Sequence, residues 1–247
     1  MGKGLSPESP GPSTPFTPIG LTLYSLGRHV RRKAEDGVEG FFVTGTDTNV
    51  GKTLVAAWLV GQLDGFYWKP VQAGTRPETD SDVVRRLSGA PPERIMPEAY
   101  VLSEAIAPHE AARREGVEID MAKLVPPSCD RPLVVEGAGG LMVPLTDDAY
   151  VIDLATELHL PLVLVARSTL GTINHTLLSL EAIRRRGLPL AGVVISGPET
   201  PHNRAAIERY GKVEVIAEIP WLDTVTPQAL MAIEPELDLA KLAKPLP

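Results

Sequence analysis

Nine consecutive residues, Gly45-Thr46-Asp47-Thr48-Asn49-Val50-Gly51-Lys52-Thr53, set glycine, lysine and hydroxyl in an order that can grip a polyphosphate. Glycine lets the backbone curl so that its N–H groups converge on an anion, lysine adds a point charge, and the hydroxyl beside it reaches a magnesium ion. In that reading Lys52 meets phosphate and Thr53 faces the metal. Five residues stand between Gly45 and Gly51, one more than in the standard loop, and Thr46 fills the usual glycine position. The apolar run Phe41-Phe42-Val43 ahead of the loop and the apolar stretch Leu54 to Leu63 behind it supply a strand and a helix, the frame such a loop needs. The sequence is that of a nucleotide-dependent protein.

Two further charges stand at the ends of apolar runs. Lys69-Pro70-Val71-Gln72-Ala73-Gly74-Thr75 follows the run that begins at Phe66, and Glu136-Gly137-Ala138-Gly139-Gly140 follows Leu133-Val134-Val135. Where strands run parallel, their carboxyl ends open onto one crevice, so these loops and the phosphate loop report on a single site. Thr53, Glu136 and a third oxygen ligand suit a hard cation that keeps several waters. Within Thr79-Asp80-Ser81-Asp82 the third ligand is assigned to Asp82, with Asp80 as the local competitor. Capping a helix N-terminus is the other role open to either carboxylate.

Stepping outward, the elements that carry these residues alternate between short apolar runs and helical patterns. Strands are expected at Phe41–Val43, Phe66–Lys69, Leu133–Glu136, Leu162–Ala166, Ala191–Ser196 and Val213–Ile219, and helices near 52–63, 81–88, 104–115, 151–158, 172–186 and 202–210. Such alternation predicts crossover units: an α/β domain with a mostly parallel sheet and helices on both faces, of the phosphate-loop NTPase type. Gly187 follows Arg184-Arg185-Arg186 where a helix should stop, which places the cations at the negative end of its dipole and accounts for them without a ligand.

The 247 residues, 43% hydrophobic and 22% charged, suffice for one large core. A net charge of −7 argues against a general nucleic-acid binder, which neutralises phosphates with clustered Lys and Arg. No apolar run reaches the roughly 18 to 20 residues that span a bilayer, so no membrane partner is expected and the protein is read as cytoplasmic. Cys129 is the single cysteine, which rules out an internal disulfide. Residues 1–38 differ from the rest: prolines at 7, 10, 12, 15 and 18 lie among Ser, Thr and Gly, and the stretch reads as a flexible Pro/Ser-rich extension ahead of a domain over 39–247.

Taken in order, the loop motifs resemble the dethiobiotin synthetase family, ATP-dependent ligases of biotin biosynthesis. The resemblance spans about 41 to 222. It rests on Gly-Thr-Asp-Thr-x-Val-Gly-Lys-Thr at 45–53, Lys-Pro-Val at 69–71, Ser-Asp at 81–82, Pro-His at 108–109 and Glu-Gly-Ala-Gly-Gly at 136–140. It continues through Leu-Gly-x-Ile-Asn-His at 170–175, Leu-Ala-Gly at 190–192 and Glu-Ile-Pro-Trp-Leu at 218–222. It also accounts for the longer phosphate loop, which is that family's own form.

The resemblance implies closure of a cyclic urea on 7,8-diaminopelargonate (7,8-diaminononanoate) from carbon dioxide, supplied as bicarbonate, and ATP, with Mg2+ as cofactor. Lys69 would be the catalytic lysine and Lys52 the grip on the transferring phosphate, with Thr53, Asp82 and Glu136 around the metal. Asn49, Val50, Gly51, Lys52 and Thr53, together with Glu136, Gly137, Ala138 and Gly139, would hold the nucleotide, and Pro220-Trp221-Leu222 would border its base. Thr48, Ala73 and Thr75 would line the diamine site. Asn174 matches the position that receives the substrate carboxylate across a homodimer interface, or else simply caps its helix.

Three departures from the family pattern matter, one being the segment after Pro198, from which no substrate residue is carried over. Ala73 stands where a hydroxyl residue is frequent, leaving backbone groups or Thr75 to supply that bond. Ser196-Gly197 stands where an Asn commonly reads adenine, and a serine cannot make an amide's paired contact. The main rival is a phosphate-loop ATPase that uses nucleotide as a dimerisation switch, of the partitioning or cell-division positioning kind. Those proteins carry a second lysine early in the loop, where this chain has Asp47 and Thr48.

Overall fold

A computed structural model of the chain describes Met1 and residues 38–244, so the extension expected over 1–38 lies almost wholly outside the described residues. Nine strands occur among them: β1 (Gly40–Gly45), β2 (Phe66–Trp68), β3 (Val71–Ala73), β4 (Ile95–Met96), β5 (Tyr100–Leu102), β6 (Leu133–Gly140), β7 (Leu162–Arg167), β8 (Leu190–Ser196) and β9 (Val215–Ile219). The helices are α1 (Lys52–Leu63), α2 (Asp80–Leu87), α3 (Pro108–Glu115), α4 (Val151–Leu158), α5 (Thr172–Arg185), α6 (Pro201–Gly211), α7 (Pro227–Met231) and α8 (Leu239–Leu242).

Seven strands form one sheet in the order β4-β2-β6-β1-β7-β8-β9, and β3 pairs with β5 in a small second sheet. Every paired strand is parallel. The central strand β1 lies between β6 and β7, with Phe42 opposite both Val135 and Leu162. All carboxyl ends of the large sheet therefore open on one side, and the expected α/β architecture with helices on both faces is the one observed.

Side-chain alternation divides the core into two layers. Phe42, Leu133, Val135, Leu162 and Leu164 pack with residues of α3, α4, α5 and α6. Their neighbours Phe41, Val43, Val134, Val163 and Val165 pack on the opposite face with α1, α2, α7 and α8. Because both faces are covered, the strands read as continuous apolar runs. Helix α1 is wedged tightly into the second layer: Val55 to Val60 are all fully buried, and Trp58 donates from Nε1 to the Ile233 carbonyl at 2.8 Å. A methyl group added at Gly61 would lie 2.2 Å from the Met231 sulfur, so α7 packs directly on α1 at that point.

The six expected strands are all present, some with shifted ends. The helix expected from 104 begins instead at Pro108, whose fixed φ and missing N–H suit the first turn. The pieces absent from the pattern, β3, β4, β5, α7 and α8, are two to five residues long. Periodicity has nothing to register over so few positions.

Candidate functional site

The same alternation aims the site. On β6, Glu136 shares a face with Val134, and on the β2 segment Lys69 shares a face with Tyr67; Tyr67 and Val134 both belong to the α1 layer. Lys69, Tyr67 and Glu136 therefore converge beneath the start of α1, where the phosphate loop delivers Thr53.

Lys69 Nζ donates to Glu136 Oε1 at 3.0 Å and to the Gly137 carbonyl at 3.2 Å, and pairs with Asp80 Oδ2 at 2.6 Å. Thr53 Oγ1 lies 2.9 Å from Asp80 Oδ1 and 3.0 Å from Glu136 Oε1. The second oxygen of Glu136 accepts from the Tyr67 hydroxyl at 2.8 Å. Burial alone would lower the Lys69 pKa, but Glu136 and then Asp80 outweigh it and hold the ammonium above its usual value. Burial likewise works to raise the Asp80 pKa, and Lys69 beside it reverses the sign and lowers it. The lysine of this charged pair is buried while Asp80 faces the cavity, and removing the carboxylates would leave an uncompensated buried charge.

The phosphate loop is set by its backbone. Gly51 has φ +98°, and a methyl group there would lie 2.7 Å from Ser196 Oγ, so both conformation and space require glycine. Asn49 takes the left-handed conformation at φ 58°, which its short amide tolerates. Lys52 Nζ donates to the Asp47 carbonyl at 3.1 Å, and burial is the first cause that lowers its pKa. An ammonium curled onto its own loop is one that a phosphate can draw away.

A cavity of about 830 Å³ opens over these groups. Of the residues expected at the site, Thr48, Asn49, Gly51, Lys52, Thr53, Lys69, Ala73, Glu136, Ala138 and Gly139 line it, and Thr75 falls between two lining residues, Gly74 and Arg76. Val50 turns inward to the core, and Gly137 contributes its carbonyl to Lys69. Ser196 and Gly197 do not line the cavity; they end β8 behind the loop, with Gly197 donating to the Ile219 carbonyl at 2.9 Å. Pro220 and Trp221 follow β9 and are exposed, and Leu222 is half-buried. Asn174 is an exposed residue of the first turn of α5, whose cap is Gly171, so it does not cap the helix by its side chain.

Asp82 is a correction. It is the third residue of α2 and closes a capping box, accepting from the Thr79 hydroxyl at 2.8 Å and the Thr79 backbone N–H at 3.2 Å, and it pairs with Arg85 at 2.6 Å on the exposed face. Asp80 is the carboxylate turned toward Thr53 and Lys69. Two positions apart on a helix means roughly opposite sides, so only one of them faces the cleft. The signal was present in the sequence: Thr79 three residues before Asp82 is the capping-box spacing, which occupies Asp82 and leaves Asp80 available.

Two residues of the cluster were not anticipated. Tyr67 follows from strand alternation with Lys69. Gln72, buried, accepts from the Asp80 backbone N–H at 3.2 Å and donates to the Gly74 carbonyl at 2.7 Å; no motif marks it.

Thr53 Oγ1 carries one hydrogen and stands within hydrogen-bond distance of two carboxylates, so one of the two contacts is lone pair against lone pair. That donor set fits a hard cation. No group of three or more His, Cys, Asp or Glu that could hold a metal occurs among the described residues.

A family model described as an AAA domain matches residues 39–229. The chain is 56% identical over 198 residues to the ATP-dependent dethiobiotin synthetase BioD of Paramagnetospirillum magneticum, covering 80% of this chain and 96% of that protein. It is 53% identical over 191 residues to the ATP-dependent dethiobiotin synthetase BioD of Afipia carboxidovorans, covering 77% and 91%. Among solved structures, a ParA family ATPase from Chlorobium tepidum aligns with a TM-score of 0.49 at 13% identity, over 79% of this chain and 89% of that one.

Proposed function

The chain belongs to the ATP-dependent dethiobiotin synthetase family, and from that premise we propose that it closes the cyclic urea of dethiobiotin on 7,8-diaminopelargonate, consuming carbon dioxide and ATP. One amine of the substrate adds to carbon dioxide and loses a proton, giving a carbamate. The γ-phosphoryl group of ATP passes to a carbamate oxygen, releasing ADP and leaving a carbamic-phosphoric anhydride. The second amine attacks its carbonyl carbon, the carbon–oxygen bond to phosphate breaks, and the ring closes with loss of a proton.

Each step collects negative charge in one place, which fixed cations and N–H groups stabilise because they are oriented before the charge arrives. Lys69, held from two sides by Asp80 and Glu136, meets the carbamate and its phosphorylated form. Lys52 and the N–H groups from Asn49 to Thr53 hold the transferring phosphate. Thr53, Asp80 and Glu136 would hold Mg2+, which when bound neutralises phosphoryl oxygens. Thr48, Ala73 and Thr75 line the diamine, and Pro220, Trp221 and Leu222 border the base. The observation that carries the reading is the convergence of Lys69, Asp80, Glu136 and Thr53 in one cavity that also admits the phosphate loop.

We also read the protein as a homodimer with substrate near the interface. Leu170, in the turn before α5, is 97% exposed, Leu178 on α5 is 62% exposed, and the exposed Asn174 lies between them in the chain. Exposed apolar residues of that kind favour a second surface. Asn174 would then reach the substrate carboxylate bound by the other protomer. The cytoplasm, where ATP and bicarbonate are abundant, is the compartment that suits this chemistry.

The direct test is phosphate release from ATP with and without the two other substrates, together with mass detection of the cyclic product for each nucleoside triphosphate. Release that needs both diaminopelargonate and bicarbonate supports the reading. Steady hydrolysis with neither would overturn it. Equal turnover with several triphosphates would show that base recognition is loose.

A further inference from the structure

The β2–β3 segment supplies more than Lys69. Tyr67, two residues before the lysine, is fully buried and gives its hydroxyl to Glu136 Oε2 at 2.8 Å. Gln72, three residues after it, is 4% exposed and accepts from the Asp80 backbone N–H at 3.2 Å, while its amide nitrogen is tied to the Gly74 carbonyl at 2.7 Å. One short segment thus reaches the Glu136 carboxylate and the Asp80 backbone, the two residues that face Thr53, and does so with neutral side chains that bring no charge of their own.

The two contacts fix different degrees of freedom. A carboxylate with one oxygen engaged by an immobile donor can rotate only about that anchor, and Glu136 is anchored through Oε2 so that Oε1 is turned toward Thr53 and Lys69. Gln72 acts on backbone, holding the first residue of α2 at a set distance from the β3 segment and so setting where the Asp80 carboxylate begins.

We propose that Tyr67 and Gln72 are positioning residues that pre-set the Glu136 and Asp80 carboxylates for a divalent cation, Tyr67 through the second oxygen of Glu136 and Gln72 through the Asp80 main chain. This rests on the cation site proposed above. Neither residue touches the reacting atoms. Outer groups that orient ligating carboxylates typically account for 10- to 100-fold in metal affinity.

The test measures Mn2+ binding to the full chain with ADP present and no diamine, by electron paramagnetic resonance of free Mn2+, so that the readout is not turnover. Three variants are compared with the parent: Tyr67→Phe, Gln72→Met and Glu136→Gln. Thermal unfolding of each checks that it is folded. Tyr67→Phe is expected to raise the Mn2+ dissociation constant roughly 10-fold, and Gln72→Met by a smaller factor, with the ADP affinity measured without metal unchanged. Glu136→Gln is expected to lose Mn2+ binding most. Should Tyr67→Phe not fold, Gln72→Met still decides whether the segment braces the site. Parental Mn2+ affinity in the folded brace variants, beside a loss in Glu136→Gln, would overturn the bracing role and leave the cation site standing. Parental affinity in Glu136→Gln would overturn the cation site, and the bracing role with it.

Discussion

Around Glu136 the buried polar atoms are matched: both of its oxygens, the Lys69 ammonium, the Tyr67 hydroxyl and Thr53 all have partners within 3.0 Å. Around the first turns of α5 the opposite holds. Ser168 Oγ, Thr172 Oγ1, Thr176 Oγ1 and Arg167 Nε are buried there without a hydrogen-bond partner among the described residues, and Leu170 and Asn174 beside them are exposed. Among the described residues Arg167 makes only long contacts, 3.5 Å to Asp47 and 3.3 Å to His175. Buried polar groups in native proteins pair with protein groups or ordered water. Under the function proposed above, the contrast separates a charge-handling end whose groups meet one another from an end where Leu170 and Asn174 face outward, toward the surface a second protomer would cover. Chemistry needs groups oriented in advance, whereas recognition of a flexible aliphatic acid can wait for assembly.

The largest effect that sharpens this contrast is expected from Lys69→Ala. Turnover should fall by at least roughly 100-fold, the scale of a lost oxyanion-stabilising donor, while nucleotide affinity, measured by calorimetry, stays near parental. The same change leaves Asp80 and Glu136 without their cation and should cost about 3 kcal/mol in urea unfolding. Loss of nucleotide binding along with turnover would erase the distinction between the two lysines.

Next in size is the pair Asp80→Asn and Asp82→Asn, only one of which belongs to the charge-handling end. Asp80→Asn should lower kcat/KM roughly 10-fold or more. Asp82→Asn should leave kcat/KM within about twofold and cost at most about 1 kcal/mol, the worth of a helix cap. Steady-state kinetics on both variants checks the assignment; a reversed ranking would return the ligand role to Asp82.

Asn174→Ala probes the other end. A tenfold rise, on the order expected for one lost hydrogen bond to a charged group, is predicted in KM for the diamine with kcat retained. If kcat fell instead with KM unchanged, the two ends would not divide chemistry from recognition.

The smallest effect concerns pH. The Asp80 pKa is lowered in the folded state, so its stabilisation is whole above the ordinary value of 3.8 and is lost as the pH falls through its folded value. Lys69 is raised above 10.5, so its contribution is whole below that value and is lost only as the pH rises through its folded value. Unfolding midpoints compared between parent and Asp80→Asn should therefore differ steadily across neutral pH and converge in acid below 3.8.

Sequence carried the frame further than the site. Long buried strands such as Leu162 to Ala166 announce themselves, because both faces are covered and no polar residue interrupts the run. The phosphate loop is legible for a chemical reason, since few other jobs need Gly-Lys-Thr between a strand and a helix. Illegible parts are those decided by tertiary packing over short distances. Ile95 and Met96 become a strand only because β2 offers them an edge. Asp80 and Asp82 differ in role because of the direction in which α2 leaves its cap, and Gln72 matters because of what lies across from it. Tyr67 sits between these cases: a strict period of two along the β2 segment already puts it on the same side as Lys69.

The ammonium of Lys69 has three hydrogens, and Asp80, Glu136 and the Gly137 carbonyl claim all three. A newcomer to this nitrogen enters as a competitor, and its hold is the difference between contacts made and contacts surrendered. Since two of the surrendered partners are ionised, an uncharged amine has nothing to offer in exchange. On the function proposed above, the lysine would act as a filter on electrical state, indifferent to a diamine before carboxylation and responsive to it afterwards.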